Sequence, residues 1–269
     1  MLYIVATPIG NLSEMSERAV QTLKEVDFIA CEDTRHSGKL LKHFGINTKM
    51  VVYQKFNERT SVKGLIDLLL SGKNIALISD AGMPLISDPG AILLQECIKH
   101  NINYTVISGA CALINAVVLS GFDASEFSFL GFLPDKKLLR ENKLKPYLFV
   151  PATLIFYSPP QNIKKDCDFL YSVFGNRKAA IIREISKMYE SIYRGNLGED
   201  FKIKEAGEFV IVLEGHKGES KDNMSEIELY NEYIVMGLSK MEAIKAAAKD
   251  KGVAKAVIYD LIIGLEDRS

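Results

Sequence analysis

The chain has 269 residues, 48% of them hydrophobic and 25% charged, with 33 basic against 34 acidic side chains and a formal net charge of −1. These proportions exclude a disordered chain, a collagen-like fibre and a disulfide-framed secreted module. They also give no global electrostatic signal for nucleic acid, so any RNA contact must be local. Four scattered cysteines (Cys31, Cys97, Cys111, Cys167) without a Cys-x-x-Cys, and histidines that do not cluster, give no support for zinc or a structural disulfide. The longest apolar stretches, such as Ala112–Leu119, fall short of the roughly 20 residues needed to cross a bilayer. The N-terminal apolar run has no basic region before it, so the expectation is a cytoplasmic protein without membrane association.

Short apolar, β-branched runs occur at Leu2–Thr7, Asp27–Cys31, Met50–Tyr53, Asn74–Ser79 and Asn103–Ile107. Segments with helical spacing separate them: Glu17–Val26, Ser37–Phe44, Val62–Ser71, Ala91–His100 and Leu113–Ser120. The alternation predicts βαβ units and a parallel sheet. Ser13 or Ser16 is placed to cap the first helix, and Gly45 and Gly72 to close the second and third. After Gly121-Phe122-Asp123 strands dominate. Phe127–Phe132 and Leu154–Tyr157 read as strands, Asp135–Lys145 as a basic helical or irregular segment, and Pro159-Pro160 as the opening of a helix to about Val173. Lys178–Ile182 and Met188–Tyr193 are close enough for a hairpin, and Glu208–Glu214 is strongly apolar, so a mixed sheet is expected. Residues 216–223 have linker composition, and Glu226–Met236, Lys240–Lys249 and Ala254–Ile263 read as three helices separated by Gly237 and Gly252. The expected architecture is α/β: a parallel-sheet domain over 1–120, a mixed-sheet domain over 121–216 and a small helical domain over 224–269.

Several common enzyme signatures are missing. The loop Thr7–Leu12 lacks the G-x-G-x-x-G spacing of dinucleotide sites, and neither a P-loop nor a G-x-S-x-G elbow occurs. Glu32-Asp33 is a poor acid/base pair, because neighbours at a strand end point to opposite sides. Four loops instead follow strands at their carboxyl ends, where open α/β sheets place ligands: Thr7–Leu12, Cys31–Ser37, Ser79–Gly90 and Ser108–Ala112. The third is tight, with Asp80 as an acceptor, and the fourth offers close backbone approach at a helix N-terminus. Together they predict a shared ligand crevice.

The segments at 2–12 (LYIVATPIGNL), 32–37 (EDTRHS), 79–90 (SDAGMPLISDPG) and 131–134 (GFLP) resemble, in order, those of the bacterial small-subunit ribosomal RNA methyltransferase I family of the tetrapyrrole methylase superfamily. The resemblance runs over about residues 1–215, and the helical tail is similar to that family's helix-turn-helix-like domain. It implies two α/β domains with S-adenosylmethionine in the cleft between them, a homodimer, and methylation of a cytidine ribose 2′-oxygen in 16S rRNA. Carried over by position, the cofactor site comprises Pro8, Gly10, Asp80, Gly82, Met83, Cys111, Ala112, Tyr157 and Val210. The chain departs from the family pattern in three places. Met83 replaces the usual Thr, Ser108-Gly109-Ala110-Cys111 replaces Pro-Gly-Pro-Ser, and Ser158–Asn162 (SPPQN) replaces Glu-Ser-Pro-His-Arg.

With an activated methyl on the donor, the protein must align the acceptor and help its proton leave. The candidates are Asp33, Arg35, Glu184 and Lys187, with Lys187 as the cation for an alkoxide, Glu184 as a catalytic group or its salt-bridge partner, and Arg35 also as a phosphate contact. His36 and the basic run Lys136, Lys137, Arg140 and Lys143 are candidate RNA contacts; the tail lysines divide between RNA contact and a solvated face. Two rival readings remain: a SAM-dependent tetrapyrrole or corrin methylase, and a non-catalytic ribosome assembly factor. A macrocycle calls for a broad apolar surface rather than a polyanion patch, and an assembly factor need not bind the donor.

Overall fold

The computed structural model describes residues 1–54, 58–217, 224–235 and 238–266. The first unit alternates strands β1 (Leu2–Val5), β2 (Phe28–Cys31), β3 (Lys49–Val52), β4 (Ile75–Leu77) and β5 (Tyr104–Ile107) with helices α1 (Glu17–Glu25), α2 (Thr34–His43), α3 (Glu58–Leu70), α4 (Ala91–Lys99) and α5 (Ala112–Ser120). Its strands pair in the order β3-β2-β4-β1-β5, all parallel. Alternating side chains feed two layers. Leu2, Ile4, Ile75 and Leu77 pack with Leu65 and Leu69 of α3 and Leu93 of α4, while Val5, Ile29 and Ala76 pack with Leu23 of α1 and Leu41 of α2.

The second unit contains β6 (Phe127–Phe132), α6 (Lys137–Leu144), β7 (Thr153–Ser158), α7 (Ile163–Phe174), β8 (Lys178–Arg183), β9 (Ser191–Asn196) and β10 (Phe209–Leu213). The sheet order is β6-β7-β10-β8-β9, parallel between β6 and β7 and antiparallel elsewhere, which is the mixed sheet expected. One face (Leu154, Phe156, Ile181, Ile211) is covered by Leu144 of α6 and by Ile163 and Leu170 of α7. The opposite face (Ile155, Ala180, Ile182, Val210, Val212) is covered by Leu113, Ala116 and Val117 of α5. That helix precedes residue 121 in sequence yet lies on the second sheet.

Some element ends differ from the sequence reading. Helix α2 begins at Thr34 rather than Ser37, because the Asp33 carboxylate caps it. Helix α7 starts at Ile163 rather than at Pro159-Pro160, since the Asn162 N–H donates to the Pro159 carbonyl at 2.9 Å and closes a turn first. Strand β9 begins at Ser191 rather than Met188, because the backbone turns through Glu184 (φ 54°) and Ser186 (φ 64°). The C-terminal helices α8 (Glu226–Val235), α9 (Lys240–Lys251) and α10 (Lys255–Glu266) enclose a core of their own around Leu229, Ile244, Ala247 and Ile258. Gly252 closes α9 in the left-handed conformation. Gly237 and linker positions 218–223 lie outside the described residues. No helix among the described residues is long and apolar enough to cross a membrane.

Candidate functional site

The parallel sheet delivers the carboxyl ends of β1, β4 and β5 to one edge, and the second sheet meets them with the ends of β6 and β7 and the start of the antiparallel β10. Two of the loops there are stitched together. The Thr7 N–H donates to the Gly82 carbonyl at 2.9 Å and the Gly82 N–H to the Thr7 carbonyl at 3.1 Å, while Thr7 Oγ1 donates to the Ser79 carbonyl at 3.2 Å. Gly82 holds φ +81°, and a Cβ there would stand 3.1 Å from Ile9 Cγ2, so the position calls for glycine on two grounds.

Between the lobes lies a cavity of about 420 Å³, within the range of small-molecule sites. Asp80, Gly82, Met83, Cys111, Ala112, Tyr157 and Val210 from the expected cofactor set line it; Pro8 and Gly10 do not, and flank the lining residue Ile9. Met83 also packs against the core of the first sheet. Cys111 is the N-cap of α5 but makes no side-chain cap hydrogen bond. Burial pushes the Tyr157 hydroxyl far above its ordinary range, and its ring stacks edge-on with Phe129 (4.8 Å) and Phe132 (5.5 Å). The sequence reading missed Ile9, Asp88, Phe132, Ser158 and Glu208. Asp80, Asp88 and Glu208 give the lining an acidic character, and no lysine, arginine or histidine is among its described residues.

Glu184 and Lys187 come together beside this cavity. Lys187 Nζ donates to Glu184 Oε1 at 3.0 Å and to Glu208 Oε2 at 2.9 Å. Glu184 Oε1 also accepts the Glu208 N–H at 2.8 Å. Burial works to raise the Glu184 carboxyl, but the Glu208 amide and the Lys187 ammonium hold it below its ordinary range. Burial likewise opposes charge on Lys187, and its two carboxylate partners more than offset that, leaving its pKa raised. The stem of Lys187 rests on Gly10 of the other lobe, where a Cβ would stand 2.2 Å from Lys187 Cγ. Glu184 and Lys187 form an ion pair, and Lys187 is paired with two carboxylates.

Asp33, Arg35 and His36 are not brought to the cavity wall. Asp33 Oδ1 accepts the Arg35 N–H at 2.8 Å, and the carboxylate pairs with the Arg35 guanidinium at 3.2 Å, which holds the Asp33 carboxyl below its ordinary range. The Arg35 side chain is 90% exposed and His36 is exposed, so both face solvent at the start of α2.

The basic run on α6 splits in two. Lys136 and Lys137 are exposed, Lys137 standing 3.8 Å from Glu141. Arg140 turns inward: its side chain is 12% exposed, 2.9 Å from the buried Asp166 carboxylate, and its Nε donates to the Pro134 carbonyl at 2.5 Å. Lys143 donates to the Phe132 carbonyl at 2.9 Å, and burial lowers its pKa. Both placements have one physical reason, namely that a helix in a charge run still has an inner face and its cations find acceptors there. Asp166 in turn accepts from Ser158 Oγ at 2.6 Å, so the pair braces the cavity wall.

Against known proteins, the family of tetrapyrrole (corrin/porphyrin) methylases matches residues 1–199. A relative from Halalkalibacterium halodurans named ribosomal RNA small subunit methyltransferase I is 45% identical over 97% of this chain and 93% of its own length. A Bacillus subtilis (strain 168) protein of the same name is 38% identical over the same shares of the two chains. A crystal structure of diphthine synthase superposes with a TM-score of 0.64 at 15% identity, over 80% of this chain and 90% of that one, which bears on the fold alone. With this order of strands, this interlobe cavity and identity sustained along nearly the whole length, the chain belongs to the tetrapyrrole methylase family, in its ribosomal RNA small subunit methyltransferase I branch.

Proposed function

We propose that the chain transfers the methyl group of S-adenosylmethionine to the 2′-oxygen of a cytidine ribose in 16S rRNA of the small ribosomal subunit. The observation that carries the reading is the interlobe cavity of about 420 Å³ with Asp80, Asp88 and Glu208 in its lining. The donor bears a sulfonium and an ammonium, and the Asp80 and Asp88 carboxylates in the lining complement both. Its carboxylate is matched by the positive N-terminal end of α5, where the N-cap Cys111 makes no side-chain cap hydrogen bond. Gly82, Met83, Ala112, Tyr157 and Val210 supply small and apolar surface for the rest, with Pro8 and Gly10 supporting the wall from behind. When bound, the donor supplies an activated methyl group, so the chain's task is to orient, desolvate and deprotonate.

The RNA part of the reading draws on the names of relatives similar to this chain from end to end. Lys136 and Lys137 at the start of α6, with Arg35 and His36 on α2, are the exposed basic side chains assigned to phosphate. Lys187 and Glu184 are assigned to holding the site, and Asp33 to capping α2 and orienting Arg35. A homodimer and a cytoplasmic site of action belong to the same reading. Tyr104, Val106, Ile114 and Val118 leave apolar surface in solvent for a second copy.

The test is incubation with tritiated donor and, in parallel, unmethylated small-subunit particles, free 16S rRNA and a tetrapyrrole, followed by mass-spectrometric mapping of ribose methylation. Label in a cytidine ribose is expected. Label only in the tetrapyrrole, or no donor binding by calorimetry, refutes the reading.

A further inference from the structure

The structure reverses the roles that the cation and the carboxylates at this site would first be given. Lys187 is no free electrophile: two carboxylates hold its ammonium at 3.0 and 2.9 Å, and its stem is wedged against Gly10. Advancing on an acceptor would break both charge-assisted bonds. Glu208 is the opposite case. It stands at the start of β10, its side chain is 74% exposed, it lines the cavity, and Lys187 engages only its Oε2. Oε1 is left to accept from a guest. Glu184, pinned by the Glu208 amide and by Lys187, fixes the backbone from which Glu208 projects. Asp33 is committed to its helix cap and to Arg35, and it does not line the cavity.

We propose that Glu208 is the catalytic residue that takes the proton of the acceptor hydroxyl, with Lys187, Glu184 and Gly10 as its positioning residues. The proposal rests on the methyl-transfer reading above. The ribose oxygen forms a bond to the methyl carbon as the carbon–sulfur bond breaks, and the electron pair stays on sulfur, which becomes a neutral thioether. The hydroxyl proton passes to Glu208 Oε1 and from there to water. A methyl carried on a sulfonium needs no strong base, because the oxygen becomes acidic as its new bond forms, and a carboxylate at hydrogen-bond distance then suffices.

The experiment compares wild type, Glu208→Gln, Glu208→Asp, Lys187→Met and Lys187→Arg in single-turnover transfer to unmethylated small-subunit particles. Calorimetric titration with S-adenosylhomocysteine and circular dichroism run alongside. Glu208→Gln is expected to slow transfer by about 10²–10⁴-fold while S-adenosylhomocysteine binds within about threefold of wild type, and Glu208→Asp to fall between. Lys187→Met is expected to lower the limiting single-turnover rate with the particle concentration for half-saturation little changed, and Lys187→Arg to restore part of the loss. Should Glu208→Gln fail to fold, the Glu208→Asp rate and binding decide in its place. Transfer by Glu208→Gln within about threefold of wild type overturns the proposal. So does a loss of product affinity as large as the loss of rate, which would make Glu208 a binding group. A wild-type protein that transfers nothing refutes the methyl-transfer reading itself, and the proposal falls with it.

Discussion

Replacing Arg140 with Met separates a structural cation from an RNA ligand. The Arg140 and Asp166 side chains are 12% and 3% exposed and 2.9 Å apart, so solvent screening takes little from the pair. Breaking such a pair from one side costs about 3–5 kcal/mol, mostly for the buried charge left behind. The Ser158 hydroxyl still donates to Asp166 at 2.6 Å, which places the expected loss at the lower end, about 3 kcal/mol. The pH dependence carries a definite sign. Burial raises the Asp166 carboxyl above its ordinary range despite the bonds from Ser158 and Arg140 that lower it. The folded chain therefore holds that proton more tightly than the unfolded chain, and the group's contribution favours folding at low pH and is lost as pH rises through the raised value. Removing Arg140 raises that value further, so the variant is expected to lose less stability at about pH 5 than at about pH 8. Urea denaturation followed by circular dichroism measures both. RNA affinity and its salt dependence should match wild type while the variant is folded. A cost below about 1 kcal/mol together with a flatter salt slope would refute the reasoning and return Arg140 to the polyanion face.

Other outcomes follow from the same geometry. Gly10→Val places a branched side chain where Lys187 Cγ would stand 2.2 Å from its Cβ, and the overpacking is expected to cost about 1–3 kcal/mol in thermal unfolding and to weaken donor binding by calorimetry. Asp80→Asn removes one carboxylate from the cavity wall, so affinity for S-adenosylmethionine should fall about three- to fivefold more than affinity for the uncharged-sulfur product, with the gap narrowing in high salt. Ile258→Ala opens the fully buried centre of the C-terminal bundle at about 2–4 kcal/mol. Hydrogen exchange should rise there and leave the two sheets unchanged, because the bundle has its own core.

Much of the fold was legible because burial leaves a periodic trace. Val210 and Val212 face α5 while Phe209, Ile211 and Leu213 face the other layer, and only an unbroken apolar run satisfies both sides. The loop Ser79–Gly90 was legible for a related reason, since small and turn-forming residues after a strand leave a backbone a ligand can approach. Direction is what the sequence does not record. Arg140 and Lys137 look alike in a charge run, yet one meets Asp166, brought to it by α7, and the other meets water. Asp33 is a catalytic candidate by its place in the polar loop after β2, and its role as the cap of α2 is not legible when that helix is placed from Ser37. Glu208 escaped notice as the polar edge of an apolar strand; only the antiparallel placement of β10 carries it to the cavity.

The seating of α5 decides how the chain can be taken apart. A fragment ending at residue 120 would keep a helix with no sheet to lie on and would strip Ile155, Ile182, Val210 and Val212 of their cover. Severed ahead of Ala112 instead, each half keeps a roof and a floor: α1 and α2 opposite α3 and α4 on one side of the cut, α5 opposite α6 and α7 on the other. Anyone grafting or exchanging lobes among such enzymes should therefore count this helix with the lobe that follows it.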